Sequence, residues 1–283
     1  MSGERIKKEV SWMEKAYLLI KRFNRKLRHD DISVYASSIA FFLFLSLIPL
    51  LVLLCYLIPY TPLKETDLML IFMNILPKQM NAWMIGLIGQ IYDKPQGVLP
   101  LTFFITLWSS GKGMLALMRA LNQIHDVMEE RSYIRLRIMA SFYTVVFLFI
   151  LIITFVLGVF GKGILRWILD NAIGIEEVKA GVISVVSFLI MLTVTVIAFS
   201  GIYAYIPNKK LKFIKQIPGA VFVAFGWGIF TNGFSIYIEN FSGFTAYGTL
   251  GTIILFLLWL YICSYIMLMG AVMNWFFYRM TQE

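Results

Sequence analysis

Four residues in one apolar stretch of the sequence could together bind an anion. The stretch, "LTFFITLWSSGKGMLALMRALNQ" (101–123), contains Ser109, Ser110, Lys112 and Arg119. If it is a membrane helix that starts near residue 98, Lys112 lies roughly 21 Å from its outer end, and Arg119 follows on the same face. Ionisable residues at such depth commonly serve a site. The four residues could therefore form one wall of a polar site that opens to the cytoplasm. Alternatively, the Lys112 side chain only reaches back to the inner membrane surface.

A second candidate site lies where a later apolar segment ends at Glu239. This carboxylate is either a solvated acid at a helix end or a gate or coupling group, and both interpretations stay open. The run that follows, "NFSGFTAYGTLGT" (240–252), is small, polar and free of charge. It predicts either a tight contact between two helices or an irregular segment that lines a cavity.

Enzymatic chemistry finds little support in the sequence. The acids and histidines that could hold a metal or move a proton are His29, His125, Glu129, Glu130, Glu176 and Glu177. Neither histidine has a partner at metal-ligand spacing, and the two acid pairs are predicted on opposite sides of a membrane. The nucleophile motif G-x-S-x-G and the phosphate loop are absent, and Cys55 and Cys263 lie within apolar runs as small core residues. We therefore expect no metal, no cofactor and no enzyme.

The composition is that of a membrane protein built from helices. Of the 283 residues, 59% are apolar and 14% are charged, whereas soluble domains have about 25% charged residues. The apolar residues are concentrated in six runs, each long enough for the ~20 helical residues that cross a bilayer. We place the spans at residues 32–58, 98–118, 138–160, 181–206, 217–238 and 247–277. They predict an all-α, six-helix transmembrane domain (32–277) between a charged N-terminal segment (1–31) and a short tail (278–283).

The positive charges predict the orientation of these helices. Placing both termini and the 2–3 and 4–5 loops on one side gives that side 19 of the 25 Lys and Arg residues, with Lys112 counted among them. Positive residues accumulate on the cytoplasmic side, so both termini are predicted to be cytoplasmic. Such a basic face favours anionic lipid headgroups as partners, and we expect no nucleic acid.

Two segments outside the spans also have helical character. In residues 10–29 the apolar side chains repeat at helical spacing, while the basic residues Arg22, Arg25 and Lys26 lie mostly elsewhere around the helix. This pattern is typical of a basic amphipathic helix that lies in the inner membrane surface. Residues 68–93 are apolar but interrupted by a proline, so each half is too short to span. We interpret them as one or two external helices.

Glycines recur at intervals of seven in the fifth span. Gly219, Gly226 and Gly233 therefore share one face of the helix, where small residues allow a second helix to approach closely. Gly248 and Gly251, at the start of the sixth span, suit the same close contact between helices, which we call the glycine seam. Such a seam joins helices either within one chain or between two copies, so a homo-oligomer is left open.

Several stretches resemble the YihY/BrkB family of bacterial inner-membrane proteins. Residues 36–51, "ASSIAFFLFLSLIPLL", are similar to the family's first helix, residues 107–137 to its second helix and following loop, and residues 247–274 to its last helix. The resemblance implies a six-helix inner-membrane protein with both termini cytoplasmic. It also implies a role in envelope lipid or solute transport, the usual suggestion for a family that carries old labels as ribonuclease and virulence factor.

One position departs from the pattern of this family. The family commonly ends its last helix with Gly-Ala-Glu-x-Asn, whereas this chain reads Gly-Ala-Val-Met-Asn at 270–274. Any mechanism that needs the family's acid is in doubt here, because Val272 replaces it. Asn274 keeps the family's residue and joins Glu239 as a gate or coupling candidate.

Three functions follow from these patterns in order of preference. The first is a transporter or lipid-translocating protein with a role in envelope homeostasis, in which Lys112 and Arg119 attract an anionic headgroup or solute and the seam of spans five and six opens or holds the path. The second is a non-transporting scaffold that organises envelope machinery through the basic face. A membrane-associated hydrolase such as a ribonuclease is third and disfavoured.

Overall fold

The computed structural model describes residues 12–57, 66, 99–169, 176–240 and 248–280. These residues form α-helices joined by turns and contain no strand, which confirms the predicted all-α class for this part of the chain. A short 3-10 helix, Phe213–Gln216, leads into α6. The helices are α1 (Trp12–His29), α2 (Ile32–Leu57), α3 (Leu99–Ile124), α4 (Tyr133–Leu169), α5 (Glu176–Tyr205), α6 (Ile217–Asn240) and α7 (Gly248–Met280).

Each of the six predicted spans coincides with one of the helices α2 to α7. Among the residues that the structure describes, three helical segments are long and apolar enough to cross a membrane: Gly181–Tyr205, Phe213–Ile238 and Ile253–Arg279. The number of spans, their orientation and the membrane-surface position of α1 stay predictions. The external helices expected at 68–93 lie outside the described residues.

The chain divides into two compact units. The larger unit takes in α1, the part of α3 from Leu117 with the turn to Glu130, the part of α4 from Ile150, and α5 to α7. The smaller unit takes in α2 from Ser38 and the earlier parts of α3 and α4. The basic residues of α1 and the end of α7 therefore belong to the same unit.

In the larger unit, aromatic side chains of α5 and α6 bond to the backbone of α7. Tyr203 Oη donates to the carbonyl oxygen of Met267 at 2.6 Å, and Trp227 Nε1 donates to that of Cys263 at 2.8 Å. The rings of Phe199 and Trp227 meet edge to face with centroids 4.9 Å apart. Hydrogen bonds and ring contacts of this kind hold helices together where lipid removes the hydrophobic drive.

Helices α6 and α7 cross closely at Gly219 and Gly270. A Cβ atom at Gly219 would overlap the carbonyl oxygen of Gly270, so only glycine fits there. Farther along, a Cβ atom at Gly226 would lie 2.9 Å from Cγ2 of Ile266. Gly233, which the interval of seven placed on the same face, is different: among the described residues a Cβ atom there meets nothing within 4 Å. The close contact thus includes the first two glycines and does not extend to the third.

In the smaller unit, glycines of α3 let the neighbouring helices approach. A Cβ atom at Gly111 would lie 3.4 Å from Oγ of Ser141 on α4, and one at Gly113 would lie 3.4 Å from Leu43 on α2. Both distances are at the limit of ordinary packing, so larger side chains at these two positions would push the helices apart.

Candidate functional site

A cleft between α1 and the C-terminal end of α7 is lined mainly by basic side chains. We call it the basic cleft; its volume is about 310 Å³. Its lining residues are Arg22, Arg25, Lys26, His29, Trp275, Phe276 and Arg279. Four of them come from α1 at spacings of three and four residues, which place side chains on one face of a helix. Phe23 packs against Phe276 with ring centroids 5.6 Å apart and joins the two helices.

Lys26 differs from the other cations of the basic cleft because it is buried, with 9% of its surface exposed. Its ammonium group pairs with Asp30 at 3.0 Å and with Asp126 at 2.9 Å, and it lies 4.3 Å from the centroid of the Trp275 ring. A buried charge without partners costs several kcal/mol, and here two carboxylates and an aromatic face compensate it. Lys26 is thus a buried, paired cation of the larger unit, and its position near the membrane surface stays a prediction.

Asp126 is held in place by the way α3 ends. The N–H of Val127 bonds to the carbonyl oxygen of Asn122, the N–H of Asp126 bonds to that of Gln123, and Asp126 has a φ of 54°. These bonds define a Schellman cap, in which the left-handed residue is usually glycine. An aspartate tolerates this conformation better than most residues. Its carboxylate can then accept from Trp275 Nε1 at 3.2 Å while it pairs with Lys26.

The three arginines of the basic cleft keep their charge available. Arg22, Arg25 and Arg279 are exposed, and among the described residues the ion pairs involve Lys26 and His29 but none of these arginines. The guanidinium group of Arg279 lies 4.8 Å from the centroid of the Trp275 ring. Because the two carboxylates nearby, Asp30 and Asp126, pair with Lys26, the cleft presents a net positive surface that also includes Trp275. Guanidinium groups bind phosphate oxygens in pairs, so the cleft can bind a phosphate group.

A second cavity, which we call the polar cavity, shares part of its wall with the basic cleft. Its volume is about 240 Å³. It is lined by His125, Asp126, Lys209, Leu211, Gln216, Asn274, Trp275, Tyr278 and Arg279. Trp275 and Arg279 line both spaces. The polar cavity combines cations and the Asp126 carboxylate with neutral hydrogen-bonding groups, whereas most residues that line the basic cleft are basic.

His125 is a buried, neutral group of the polar cavity. Only 8% of its surface is exposed, and its Nε2 atom has no hydrogen-bond partner among the described residues. Burial, with a smaller contribution from the cations Lys209 and Lys26, lowers the pKa of His125 to about 4, and Asp126 partly opposes this shift. The imidazole is therefore uncharged near neutral pH and can donate or accept at Nε2 according to its tautomer.

Asn274 connects the polar cavity to the start of α6. Its Oδ1 accepts from the N–H of Gly219 at 2.6 Å, and its Nδ2 donates to the carbonyl oxygen of Gln216 at 3.0 Å. The first N–H groups of a helix lack partners within the helix, so this side chain caps α6 from another helix. The contact gives Asn274, a gate or coupling candidate in the sequence, a position where α6 and α7 meet.

Asn122 joins the end of α3 to two further segments of the larger unit. Its Nδ2 donates to Oε2 of Glu129 at 2.7 Å, and its Oδ1 accepts from the backbone N–H of Asn208 at 2.7 Å. Asn122 is buried. It therefore fixes the end of α3 to the segment after it and to the turn that follows α5.

The two basic residues of the anion site predicted on α3 are both exposed and belong to different units. Lys112, in the smaller unit, is exposed, and its ammonium group lies 6.0 Å from the centroid of the Phe42 ring. Arg119, in the larger unit, is also exposed. Ser109 and Ser110 are helical, and their side chains lie outside the described set. The pairing of these residues in one site stays a prediction.

The remaining residues that the sequence singled out lie in α6 and α7. Glu239 lies in the last turn of α6, and Gly248 is the first residue of α7. Gly251 is buried, and Val272 is fully buried where the family commonly has an acid. A carboxylate at 272 would thus face the packed interior of the larger unit rather than a solvated site.

The sequence analysis missed polar residues whose partners lie far along the chain. Asp126 contacts Lys26 across 100 positions and Trp275 across 149 positions. No spacing rule detects such pairs. Trp275 and Arg279 did carry a usable signal, since Trp and Arg at the end of an apolar helix are typical of the membrane–water boundary.

The long apolar helices indicate a helical membrane protein, and the basic cleft gives it a positively charged surface at the end of α7. The chain belongs to the BrkB family, because the family described as "Virulence factor BrkB" matches residues 23–283. This confirms the resemblance that the sequence motifs indicated. No solved structure matches the chain.

Individual relatives extend over most of the chain. The ribonuclease-like protein YfkH of Bacillus subtilis is 31% identical over 254 residues, which cover 89% of this chain and 92% of YfkH. A UPF0761 membrane protein of Idiomarina loihiensis is 25% identical over 280 residues, 94% of each chain. A UPF0761 membrane protein of Paraburkholderia xenovorans is 25% identical, and the chain covers 56% of its length. Two of these three relatives are thus named as membrane proteins, and YfkH is named for a likeness to ribonucleases.

Proposed function

We propose that this protein is a transporter or lipid-translocating protein that takes up an anionic headgroup or solute at the basic cleft. The observation that carries the proposal is the set of three exposed arginines around a space of about 310 Å³, next to carboxylates already paired with Lys26. A phosphate group matches both the charge and the planar donors of arginine.

The position of the basic cleft favours a lipid headgroup over a freely diffusing anion. The cleft lies at the C-terminal end of α7, and α7 contains an apolar segment long enough to cross a membrane. Each basic residue near a membrane surface contributes about 1 kcal/mol of attraction to anionic lipids. By the distribution of positive charge, we assign this end to the cytoplasmic side of the bacterial inner membrane. Lys112 and Arg119 remain candidates for later positions on the path.

The test is lipid exchange between the leaflets of reconstituted vesicles. Fluorescent phosphatidylglycerol is mixed into the vesicle lipid, and a membrane-impermeant quencher reports how fast the label reaches the outer leaflet. We expect the wild-type protein to accelerate exchange over empty vesicles. The triple variant Arg22→Gln/Arg25→Gln/Arg279→Gln should lower the rate at least about tenfold, because three charge-assisted contacts are lost.

The matched control is Arg28→Gln on the same helix. Arg28 is exposed but does not line the basic cleft, so its replacement removes one charge from α1 and should leave the rate unchanged. Equal rates for the wild type and a folded triple variant would refute a role for the cleft. Binding of lipid without exchange would favour the scaffold function instead.

A further inference from the structure

The polar cavity contains two buried polar atoms that no described residue satisfies. They are Nε2 of His125 and Oε1 of Gln216. His125 is 8% exposed and Gln216 is 3% exposed, and both line the cavity. Buried polar atoms in native proteins nearly always have a partner, and an unmet one is costly. These two atoms therefore require a hydrogen-bonding group inside the cavity, supplied by water or by a ligand.

The types of the two atoms restrict what that group can be. Oε1 of Gln216 only accepts, so it requires an O–H or N–H donor. Nε2 of the neutral His125 can donate or accept. A hydroxyl group, which does both, satisfies either atom. The cations Lys209 and Arg279 in the same wall disfavour an amine or a choline group.

We propose that the polar cavity binds the hydroxyl-bearing part of a phosphoglycerol group whose phosphate occupies the basic cleft. The inference rests on the proposed function and names its substrate class. The two spaces share Trp275 and Arg279 in their walls and therefore adjoin each other. Their volumes, about 310 and 240 Å³, lie at or below the lower end of pockets for drug-sized ligands. Each therefore suits a fragment such as a phosphate or a glycerol unit.

The hydrogen bonds of Asn274 fix the backbone next to Gln216 and leave the side-chain oxygen of Gln216, Oε1, available for this ligand. The carbonyl oxygen of Gln216 bonds to Nδ2 of Asn274, and Oδ1 of Asn274 bonds to Gly219. The backbone of Gln216 is thus fixed while its side-chain oxygen has no described partner. The carboxylate of Asp126, also in the wall, is paired with Lys26 and Trp275.

The experiment compares two lipids that differ only in hydroxyl groups. Binding of dioctanoyl phosphatidylglycerol and of dioctanoyl phosphatidylpropanol to the purified protein in detergent is measured by calorimetry. Both lipids carry one negative charge and a three-carbon headgroup. We expect phosphatidylglycerol to bind about tenfold more tightly, as one or two buried hydrogen bonds predict. The variants Gln216→Met and His125→Asn should lower this ratio towards one, while Arg28→Gln should keep it.

The outcomes separate this inference from the proposed function. If both lipids bind the wild type with equal affinity, the polar cavity does not recognise the hydroxyl groups, and the inference is wrong. The proposed binding of the phosphate in the basic cleft would stand in that case. If neither lipid binds, the proposed function fails as well. A preference for phosphatidylglycerol that survives in both cavity variants would also overturn the inference. The comparison of lipids on the wild type needs no variant, so it holds even if a variant fails to fold.

A soluble pair of ligands identifies the source of the group. Glycerol 3-phosphate and propyl phosphate are added as competitors in the same measurement. A lipid source predicts weak competition by both. Stronger competition by glycerol 3-phosphate than by propyl phosphate supports the same hydroxyl recognition with a soluble ligand. Equal and strong competition by both would contradict recognition of the hydroxyl groups.

Discussion

At the scale of single residues, the basic end of the larger unit is ordered by a few side chains with several partners each. Lys26 pairs with two carboxylates and lies against Trp275, and Asp126 reaches Lys26 and Trp275 from a left-handed helix cap. Glycine would relieve the backbone of Asp126 but remove both contacts. Aspartate at 126 thus keeps two side-chain contacts that glycine would lose, although glycine would adopt the left-handed backbone conformation with less strain.

The stability of the protein should depend on pH through His125. The folded state lowers the pKa of His125 from 6.5 to about 4 through burial, with Lys209 and Lys26 adding to the effect. The unfolded chain therefore binds a proton more readily below pH 6.5. This contribution to stability is present above that pH and is lost as the pH falls towards 4, amounting to about 3 kcal/mol at most.

Thermal unfolding in detergent between pH 7.5 and 4.5 measures this effect. We expect the difference in Tm between the wild type and His125→Asn to change across this range, because the variant lacks the titrating ring. Other acids titrate in both proteins, so the difference between them isolates His125. A difference that stays constant with pH would show that the burial of His125 does not couple to stability.

At the scale of helices, the sequence located the elements but not every contact between them. Apolar runs predicted α2 to α7, because a helix that crosses lipid must be apolar along about twenty residues. The interval of seven in α6 predicted one glycine seam, yet Gly219 and Gly226 lie close to α7 while Gly233 does not. A periodic pattern defines a face, and the crossing of two helices uses only the part of that face near the crossing point.

Two glycine-to-alanine substitutions in α6 should have effects of opposite sign. Gly219→Ala places a methyl group against the backbone of Gly270 and should destabilise the protein by about 1–3 kcal/mol or more. Gly233→Ala meets nothing within 4 Å among the described residues and should stabilise the helix by about 0.5–1 kcal/mol. Equilibrium unfolding of both variants in mixed micelles gives the comparison. Similar losses at both positions would show that the seam extends along the whole face.

At the scale of the whole molecule, family membership and the relatives' names indicate a membrane protein, and the distribution of charge gives it a basic cleft. The chain belongs to the BrkB family, and its relatives are named as membrane proteins in several bacteria. One relative is named for a likeness to ribonucleases. In the described part of the chain, no group of three His, Cys, Asp or Glu residues could hold a metal ion. The proposed function rests on the basic cleft and its three exposed arginines.

The orientation of the molecule can be tested with single cysteines. Starting from a variant that lacks Cys55 and Cys263, we introduce Ser132→Cys in the basic 2–3 loop and Asn171→Cys in the 3–4 loop. In intact cells, an impermeant thiol reagent should label position 171 and not position 132, because the positive loops are predicted to be cytoplasmic. Labelling of 132 alone would reverse the orientation and place the basic cleft outside. Labelling of both positions would contradict the six-span arrangement.

The sequence by itself determined the class of the protein, its family and the positions of its helices. These depend on local properties, namely apolar length, charge and motifs, which the order of residues expresses directly. It also marked Arg22, Arg25 and Asn274, but not what surrounds them. Only the tertiary structure brought α1, the cap of α3 and the end of α7 together into the basic cleft and the polar cavity. The physical reason is that such sites form between residues 100 to 149 positions apart, whose proximity depends on how the helices pack and not on local spacing.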